Sequence, residues 1–365
     1  MLKARDIDRF LIISTMALMG VGIVMVSSTS YIMAVKRFGD GHFFVKRHLI
    51  YAIAGLAALL IAMKVPYAIY RKAAYPVLVL AAIFLVCIYI PGVGFTAGGA
   101  RRWIRLGPLA FQPSEPARLA VIFFLAYSLA AKAGRIKEFS TGFLPNMLIP
   151  GVIIGLVVLE PDLGTAVTLG MLVFIMNFIG GVRLRYLFGM LLLAAPFVYL
   201  IINKFAYMMT RILVFLDPWK DPSGAGFQMV QSFIAFGSGG VWGVGLGESK
   251  QKLFYLPEAH TDFILSVIGE EFGLVGVAAV IALYGAFLVC GVRIAMKAKD
   301  LHGKYLALGI TLMVVLQAAV NMAVVTGLLP PKGLTLPFIS YGGTSLIVNM
   351  AAVGILLNIY IVENG

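Results

Sequence analysis

The chain carries about ten apolar runs of roughly 20 residues, near 11–34, 49–64, 75–92, 116–131, 144–160, 163–181, 186–203, 263–292, 305–328 and 343–362. At about 1.5 Å of rise per residue, such a run crosses a hydrocarbon core of about 30 Å as a helix. The composition agrees. Charged residues make up 12% and hydrophobic ones 61%, where a soluble domain carries about a quarter charged. These runs predict an all-α polytopic membrane protein of about ten transmembrane helices. No internal repeat and no second domain stand out, so residues 1–365 read as one transmembrane domain, with a long loop at 204–262 between the seventh and eighth spans.

The first run follows MLKARDIDRF, which mixes acids with bases, and no small-residue cleavage site follows it; it reads as an uncleaved span. Cys87 and Cys290 both fall inside apolar runs, where packing is their expected role. Lysine and arginine divide almost evenly between the two sides, but the short loops with Arg71 and Lys72, Arg135 and Lys137, Arg183 and Arg185, and Arg293 and Lys297 concentrate them. That density places both termini in the cytoplasm and the long loop outside.

Against this apolar background, residues 248–276 are unusual. A polar loop bearing Glu258, His260 and Asp262 runs directly into an apolar helix that carries Glu270 and Glu271. A charge at the bilayer centre costs roughly 2.5–3.5 kcal/mol on insertion scales and less near the interface. Asp262 sits at the inexpensive end. Glu270 and Glu271 are expected about 12–14 Å deeper, where they must be paired, protonated or turned to a polar cavity. Ser266 and Gly269 would share a helical stripe with Asp262.

The other outer loops supply partners for that carboxylate. In GVGFTAGGARRWIRLGPLAFQPSEPAR, glycine-rich turns bring Arg101, Arg102 and Arg105 around Trp103. Their guanidinium forks match phosphate oxygens, although snorkelling to lipid headgroups is an equally weighted reading. Ser114 or Glu115 can cap the fourth span, Pro116 suits its first turn, and Glu115 can pair with Arg118. Asp162 in EPDLG can cap the sixth span or join the arginines. In the long loop, FQMVQSFIAFGSGG is expected as an interfacial helix with Gln228, Gln231 and Ser232 along a stripe, and GVWGVGLGES as a lid over a cavity. Gln317 and Asn321, one turn apart, read as glue between helices. Pro330, Pro331 and Pro337 forbid a helix across TGLLPPKGLTLPFISYGGTSL, so this irregular segment is expected to wall a cavity.

A carboxylate at a membrane-level cleft, arginines and a lysine suit an anionic, lipid-anchored substrate. A sugar carried on a polyprenyl pyrophosphate needs one base for the attacking hydroxyl and cations for the leaving group. A transporter is the rival reading, but transporters place charges near the midplane and show paired halves, and here the charges gather at outer helix ends. A scaffolding subunit is the third.

YLPEAHTDFILSVIGEE, QPSEPAR, GARRWI, EPDLG and PFISYGGTSL, in that family's order across nearly the whole chain, resemble the signatures of the shape, elongation, division and sporulation (SEDS) family. QKLFYLPEAHTDFI and LPPKGLTLPFISYGGTSL are nearer its division members than its elongation members. The resemblance implies a glycosyltransferase that polymerises lipid II into β-1,4 glycan strands at the outer face of the cytoplasmic membrane, or, in an older view of the family, a lipid II flippase. It implies Asp262 as catalytic base. It carries substrate contacts to Arg102, Trp103, Gln112, Ser114, Glu115, Arg118, Asp162, Arg211, His260, Lys332, Ser340, Tyr341, Gly342 and Gly343, with Arg102, Arg118 and Arg211 meeting the pyrophosphate. Arg118 stands where the family usually has lysine, a fork in place of a point charge. The resemblance further implies a class B penicillin-binding protein as partner and no organic cofactor, and leaves room for a divalent cation, magnesium or manganese, near Asp262.

Overall fold

The computed structural model describes residues 7–97, 100–106, 109–204, 206–252 and 256–364. Residues 1–6, 98–99, 107–108, 205, 365 and the 253–255 step of QKLFYLPEAHTDFI lie outside the described residues. The chain runs α1 (Ile7–Phe38), α2 (Phe43–Lys64), α3 (Ala68–Cys87), β1 (Gly94–Ala97), β2 (Ala100–Leu106), β3 (Leu109–Phe111), α4 (Ser114–Ala131), α5 (Leu144–Leu159), α6 (Leu163–Ile179) and α7 (Leu184–Lys204). It continues through α8 (Ala206–Leu216), α9 (Phe227–Gly239), α10 (Ile264–Lys297), α11 (Leu301–Val325) and α12 (Gly343–Asn364). Eight described helices are long and apolar enough to cross a membrane, and α6 and the first part of α7 are shorter apolar helices. The expected ten spans are all accounted for, and the protein is a multi-pass membrane protein.

Helix α4 is the hub. Its Phe123, Phe124 and Leu125 are all buried, whereas α2, α3 and α7 turn Ile53, Ile61, Val79, Leu192 and Leu193 outward as lipid-facing residues. Between lipid-immersed helices the hydrophobic effect gives little drive, so close approach does the packing. Gly354 of α12 lies against the Leu59 carbonyl of α2, and Gly343 against the Tyr51 ring.

Two outer segments differ from expectation. The second outer loop is not a set of turns but an antiparallel sheet in the order β1-β2-β3, with Phe95 opposite Trp103 and a bulge before Thr96. Phe95 and Trp103 are half-buried and Ile104 is buried, the aromatic and β-branched content that favours a strand. The glycine-dense stretch is not a lid. It plugs a break in α10, where Gly273 leaves the helical region at φ 63°. Leu274 and Val275, which would otherwise donate to Glu270 and Glu271, donate to Gly240 (2.9 Å) and Val241 (3.2 Å) instead. The freed carbonyls of Glu270 and Glu271 accept from Val244 and Gly245, each at 3.0 Å. These four backbone groups released by the break are thus satisfied.

This break also relocates the two glutamates. At 34 residues α10 is longer than a hydrocarbon core requires. Counted from the basic end at Arg293, about 20 residues reach Gly273, so Glu270 and Glu271 stand at the far edge of the apolar layer rather than within it. Both are engaged by the loop. Glu270 accepts from Ser249 and from the Lys250 (3.0 Å) and Gln251 (3.4 Å) amides; Glu271 accepts from Ser28 of α1 (2.7 Å) and pairs with Lys252 (3.3 Å).

Candidate active site

A cavity of about 720 Å³ opens where β2, α4, α8, α9, the turn before α10 and the 326–342 segment meet. Of the residues singled out in the sequence, Arg102, Trp103, Gln112, Glu115, Arg211, Asp262, Lys332, Tyr341 and Gly342 line it. The others stand behind its wall. Ser114 is fully buried with its hydroxyl unpartnered, and it does not cap α4, nor does Glu115. Arg118 is buried between Glu115 and Gln317, bonded to both. Ser340 uses its hydroxyl within the turn, accepting from the Leu336 amide (2.8 Å) and donating to the Thr261 carbonyl. Gly343 packs on Tyr51. His260 is wedged beside Phe44 and Tyr341, with ring centroids 4.9 and 5.8 Å away. Burial holds that imidazole below its usual range, Glu258 acting the other way and Arg37 reinforcing the fall.

Asp262 does not begin the helical stripe expected of it. The helix starts at Ile264, and Ser266 turns to Ser232 of α9 (2.7 Å) instead of toward the cavity. Helix α9 therefore buries Met229, Val230, Ser232 and Ala235 against α10 and α11, which leaves Gln228 for the cavity wall. The Asp262 carboxylate is half-buried. Burial first, and the neighbouring Glu258 charge second, push it up to about 7 from an ordinary 3.8; Arg211 pulls downward, Asp162 adds to the rise and Arg102 opposes it. A carboxylate so tuned can take a proton near neutral pH.

Positive charge comes to the cavity from Arg102, Arg211 and Lys332. Burial, and then Arg211, lower the Lys332 ammonium below the lysine range, which puts these two cations within electrostatic reach of each other. Of the three sheet arginines only Arg102 lines the cavity. Arg101 donates to the Ile90 carbonyl (2.8 Å) and Arg105 stacks over Phe95 (5.2 Å). Arg102 is itself anchored to the carbonyls of Glu160 and Pro161 and lies 3.9 Å from Asp162. Asp162 meets both readings left open for it: it caps α6 through the Thr165 amide (3.1 Å) and joins Arg102 and Gln112 (3.3 Å).

Sequence reasoning gave no site role to four contributors, Glu258, Glu160, Gln317 and Asn321. Glu258 lines the cavity from a left-handed backbone, φ 56°, with Thr261 bonded to its carboxylate at 2.8 Å; its place in LPEAH next to a candidate base was the available signal. Glu160, fully buried in the α5–α6 turn, is pushed up to about 9 by burial and by Asp162, against Arg102. Gln317 and Asn321 are glue, as expected: Gln317 joins α11 to Arg118 of α4, and both residues also fasten the 326–342 segment to the site. Gln317 donates to the Thr335 carbonyl (2.9 Å) and hydroxyl (3.1 Å), and Asn321 to the carbonyls of Asp262 (2.8 Å) and Leu334 (2.6 Å).

Known proteins share this architecture throughout. The family described as cell cycle protein, FtsW/RodA/SpoVE, matches residues 8–364. A Geobacter metallireducens protein named probable peptidoglycan glycosyltransferase FtsW is 49% identical over 361 residues, 98% of this chain and 96% of that one. Stage V sporulation protein E of Bacillus subtilis is 42% identical, with 98% of each chain covered. Among solved structures, the rod shape determining protein RodA of Thermus thermophilus superposes with a TM-score of 0.72 at 27% identity, covering 97% of each chain. A chain from a structure described as the coordination of polymerization and crosslinking by a peptidoglycan synthase complex gives 0.80 at 31%, again over 97% of each. With its five motifs in order, its helical bundle and its full-length similarity, the chain belongs to the FtsW/RodA/SpoVE family of cell cycle proteins.

Proposed function

We propose that this protein is a peptidoglycan glycosyltransferase that polymerises lipid II, with Asp262 as the base. The observation that carries the reading is the Asp262 carboxylate set in a cavity that also presents Arg211 and Lys332. The names of its relatives support the reaction class.

Asp262 accepts the proton of the 4-hydroxyl on the acceptor's N-acetylglucosamine. The oxygen so freed bonds to C1 of the donor's N-acetylmuramic acid, the bond from C1 to the phosphate oxygen breaks, and undecaprenyl pyrophosphate leaves with the electron pair. Attack opposite the leaving group inverts C1 and gives the β-1,4 link. Lys332 and Arg211 offset the charge gathering on the pyrophosphate, and a cation placed where charge develops acts on the transition state more than on the bound substrate. Arg102, tied to the α5–α6 turn, fixes the opposite wall.

A magnesium-type ion is commonly held by one or two carboxylates with phosphate oxygens of the substrate completing its shell, and no group of three or more metal-ligating side chains occurs among the described residues. Asp262 and Glu258 would hold such an ion, and it would supply Lewis-acid stabilisation of the pyrophosphate charge.

The reading places the cavity at the outer face of the cytoplasmic membrane, with both termini in the cytoplasm, and pairs the chain with a class B penicillin-binding protein that crosslinks its product. The synthase-complex relative supports that pairing. The test is polymerisation of labelled lipid II by the purified protein with its cognate partner, resolved by glycan length. Long glycans from the native chain and none from Asp262→Asn are expected. Equal glycans from both would remove Asp262 as base, and lipid II crossing between leaflets without any glycan would make the protein a transporter.

A further inference from the structure

The Asp262 carboxylate hangs from a turn, and a turn needs fastening if its side chain is to meet a substrate hydroxyl repeatedly in one geometry. The fastening comes from α11. The Asn321 side chain is buried, and its amide nitrogen spends both hydrogens on main-chain carbonyls, Asp262 at 2.8 Å and Leu334 at 2.6 Å. The amide orientation follows from this network, since the reverse would set an oxygen against two carbonyls. One side chain thus ties together the turn that carries the base and the segment that carries Lys332 and Gly333.

Gly333 is the point where that tie matters. A Cβ placed on it would stand 3.1 Å from Asp262 Oδ2. Its backbone lies outside the left-handed region, so what glycine provides here is room beside the carboxylate oxygen rather than a special conformation. Gly333 and Asp262 both line the cavity. The space above Gly333 is therefore a slot into which an acceptor hydroxyl can reach Oδ2, and its width is set by how Asn321 holds the two strands of chain together.

We propose that Asn321 is a positioning residue for the glycosyl transfer: its two hydrogen bonds hold Gly333 against Asp262 and so fix the slot in which the acceptor hydroxyl meets the base. The inference rests on Asp262 being that base. Arg102 on β2 and Arg211 on α8 line the cavity independently of this tie, so a loosened slot slows turnover more than it weakens binding. Misplacement by about 1 Å at a reacting centre can cost about 100-fold in rate.

The experiment uses the full-length protein with its partner and compares the native chain, Asp262→Asn, Asn321→Leu and Gly333→Ala in lipid II polymerisation. Initial rates are taken across substrate concentration, with thermal unfolding as a check on the fold. Asn321→Leu keeps the approximate shape and removes both donors without adding a charge; it is expected to lower kcat about 10- to 100-fold while KM moves less than about threefold. Gly333→Ala, with Asn321 intact, should likewise lower kcat at near-native KM. Native kcat in Asn321→Leu would overturn the proposal, as would a loss that merely tracks the unfolded fraction. If Asn321→Leu does not fold, Gly333→Ala decides: an unchanged kcat overturns the slot. Native polymerisation by Asp262→Asn would defeat the base assignment and this inference together, whereas an inactive Asp262→Asn beside a fully active Asn321→Leu would defeat this inference alone.

Discussion

Arg118 pairs with Glu115 one turn away on α4; both are buried, 3% and 6% exposed, and of the two only Glu115 reaches the cavity wall. The remaining reach of the guanidinium goes to Gln317 of α11, which in turn holds Thr335. Arg118 thus supports the cavity wall from behind. In the proposed reaction the pyrophosphate therefore meets Arg211 and Lys332, which line the cavity, while the guanidinium of Arg118 stays with Glu115 and Gln317.

A buried ion pair reacts asymmetrically to losing its members. Removing one partner strands a buried charge and costs about 3–5 kcal/mol, while replacing both can be close to neutral. Arg118→Met should therefore lower the melting temperature sharply, and adding Glu115→Gln should restore most of the loss. In thermal unfolding followed by polymerisation assays, the double variant should recover a near-native KM for lipid II. A recovered fold with a KM raised tenfold or more would return Arg118 to the pyrophosphate.

The raised Asp262 pKa dictates the activity profile. A base works only when unprotonated, so kcat should climb about tenfold per pH unit below 7 and level off above it. Glu258 contributes to that rise, second to burial. Glu258→Gln should move the midpoint to lower pH, which a pH–rate series on the two proteins will read directly. An unmoved midpoint would mean that the two carboxylates do not sense each other.

The same shift bears on stability, with the opposite benefit. Between 3.8 and 7 the folded state keeps a proton on Asp262 that the unfolded chain has lost, so raising pH through that window destabilises the fold. An amide has no such proton to lose. Asp262→Asn should melt higher than the native chain at pH 7.5, by a margin that shrinks toward zero as the pH is lowered to about 4. Equal melting temperatures at both pH values would show that the carboxylate is solvated in the fold.

The spans, and which outer segments would converge, could be read from sequence because both follow from local composition: apolar length sets a helix, and Pro330, Pro331 and Pro337 rule one out. Asp262 and Arg102 stood out as charges beside apolar runs, whereas Gln112, Arg211, Lys332 and Tyr341 were named as site residues through the family resemblance. What sequence could not show was how each polar group is spent. Arg118 and Arg102 look alike on paper, yet one is spent on Gln317 from α11, about 200 residues away, and the other stays at the cavity. The glycine-dense stretch was misjudged for a related reason: nothing local says that GVWGVGLGES stands in for missing turns of α10, since its partners Glu270, Glu271, Leu274 and Val275 come later in the chain.

That substitution makes Gly273 a sensitive point, although it touches no substrate. At φ 63° an L-residue pays about 1–2 kcal/mol in backbone strain, and a Cβ there would also collide with the Val241 carbonyl and crowd the Gly243 amide. The 240–247 loop cannot retreat without giving up its four hydrogen bonds to α10, each worth about 0.5–1.5 kcal/mol. Gly273→Ala should therefore cost several kcal/mol or force α10 straight and expel that loop. Expulsion would loosen the clasp of Ser249, Lys250 and Lys252 on Glu270 and Glu271, and with it the loop that leads to Asp262. Limited proteolysis in detergent should then cut the variant within 240–252 at conditions that leave the native chain whole, and polymerisation should fall together with that protection. A variant that resists the protease and polymerises at the native rate would show that the break in α10 is not what holds the loop.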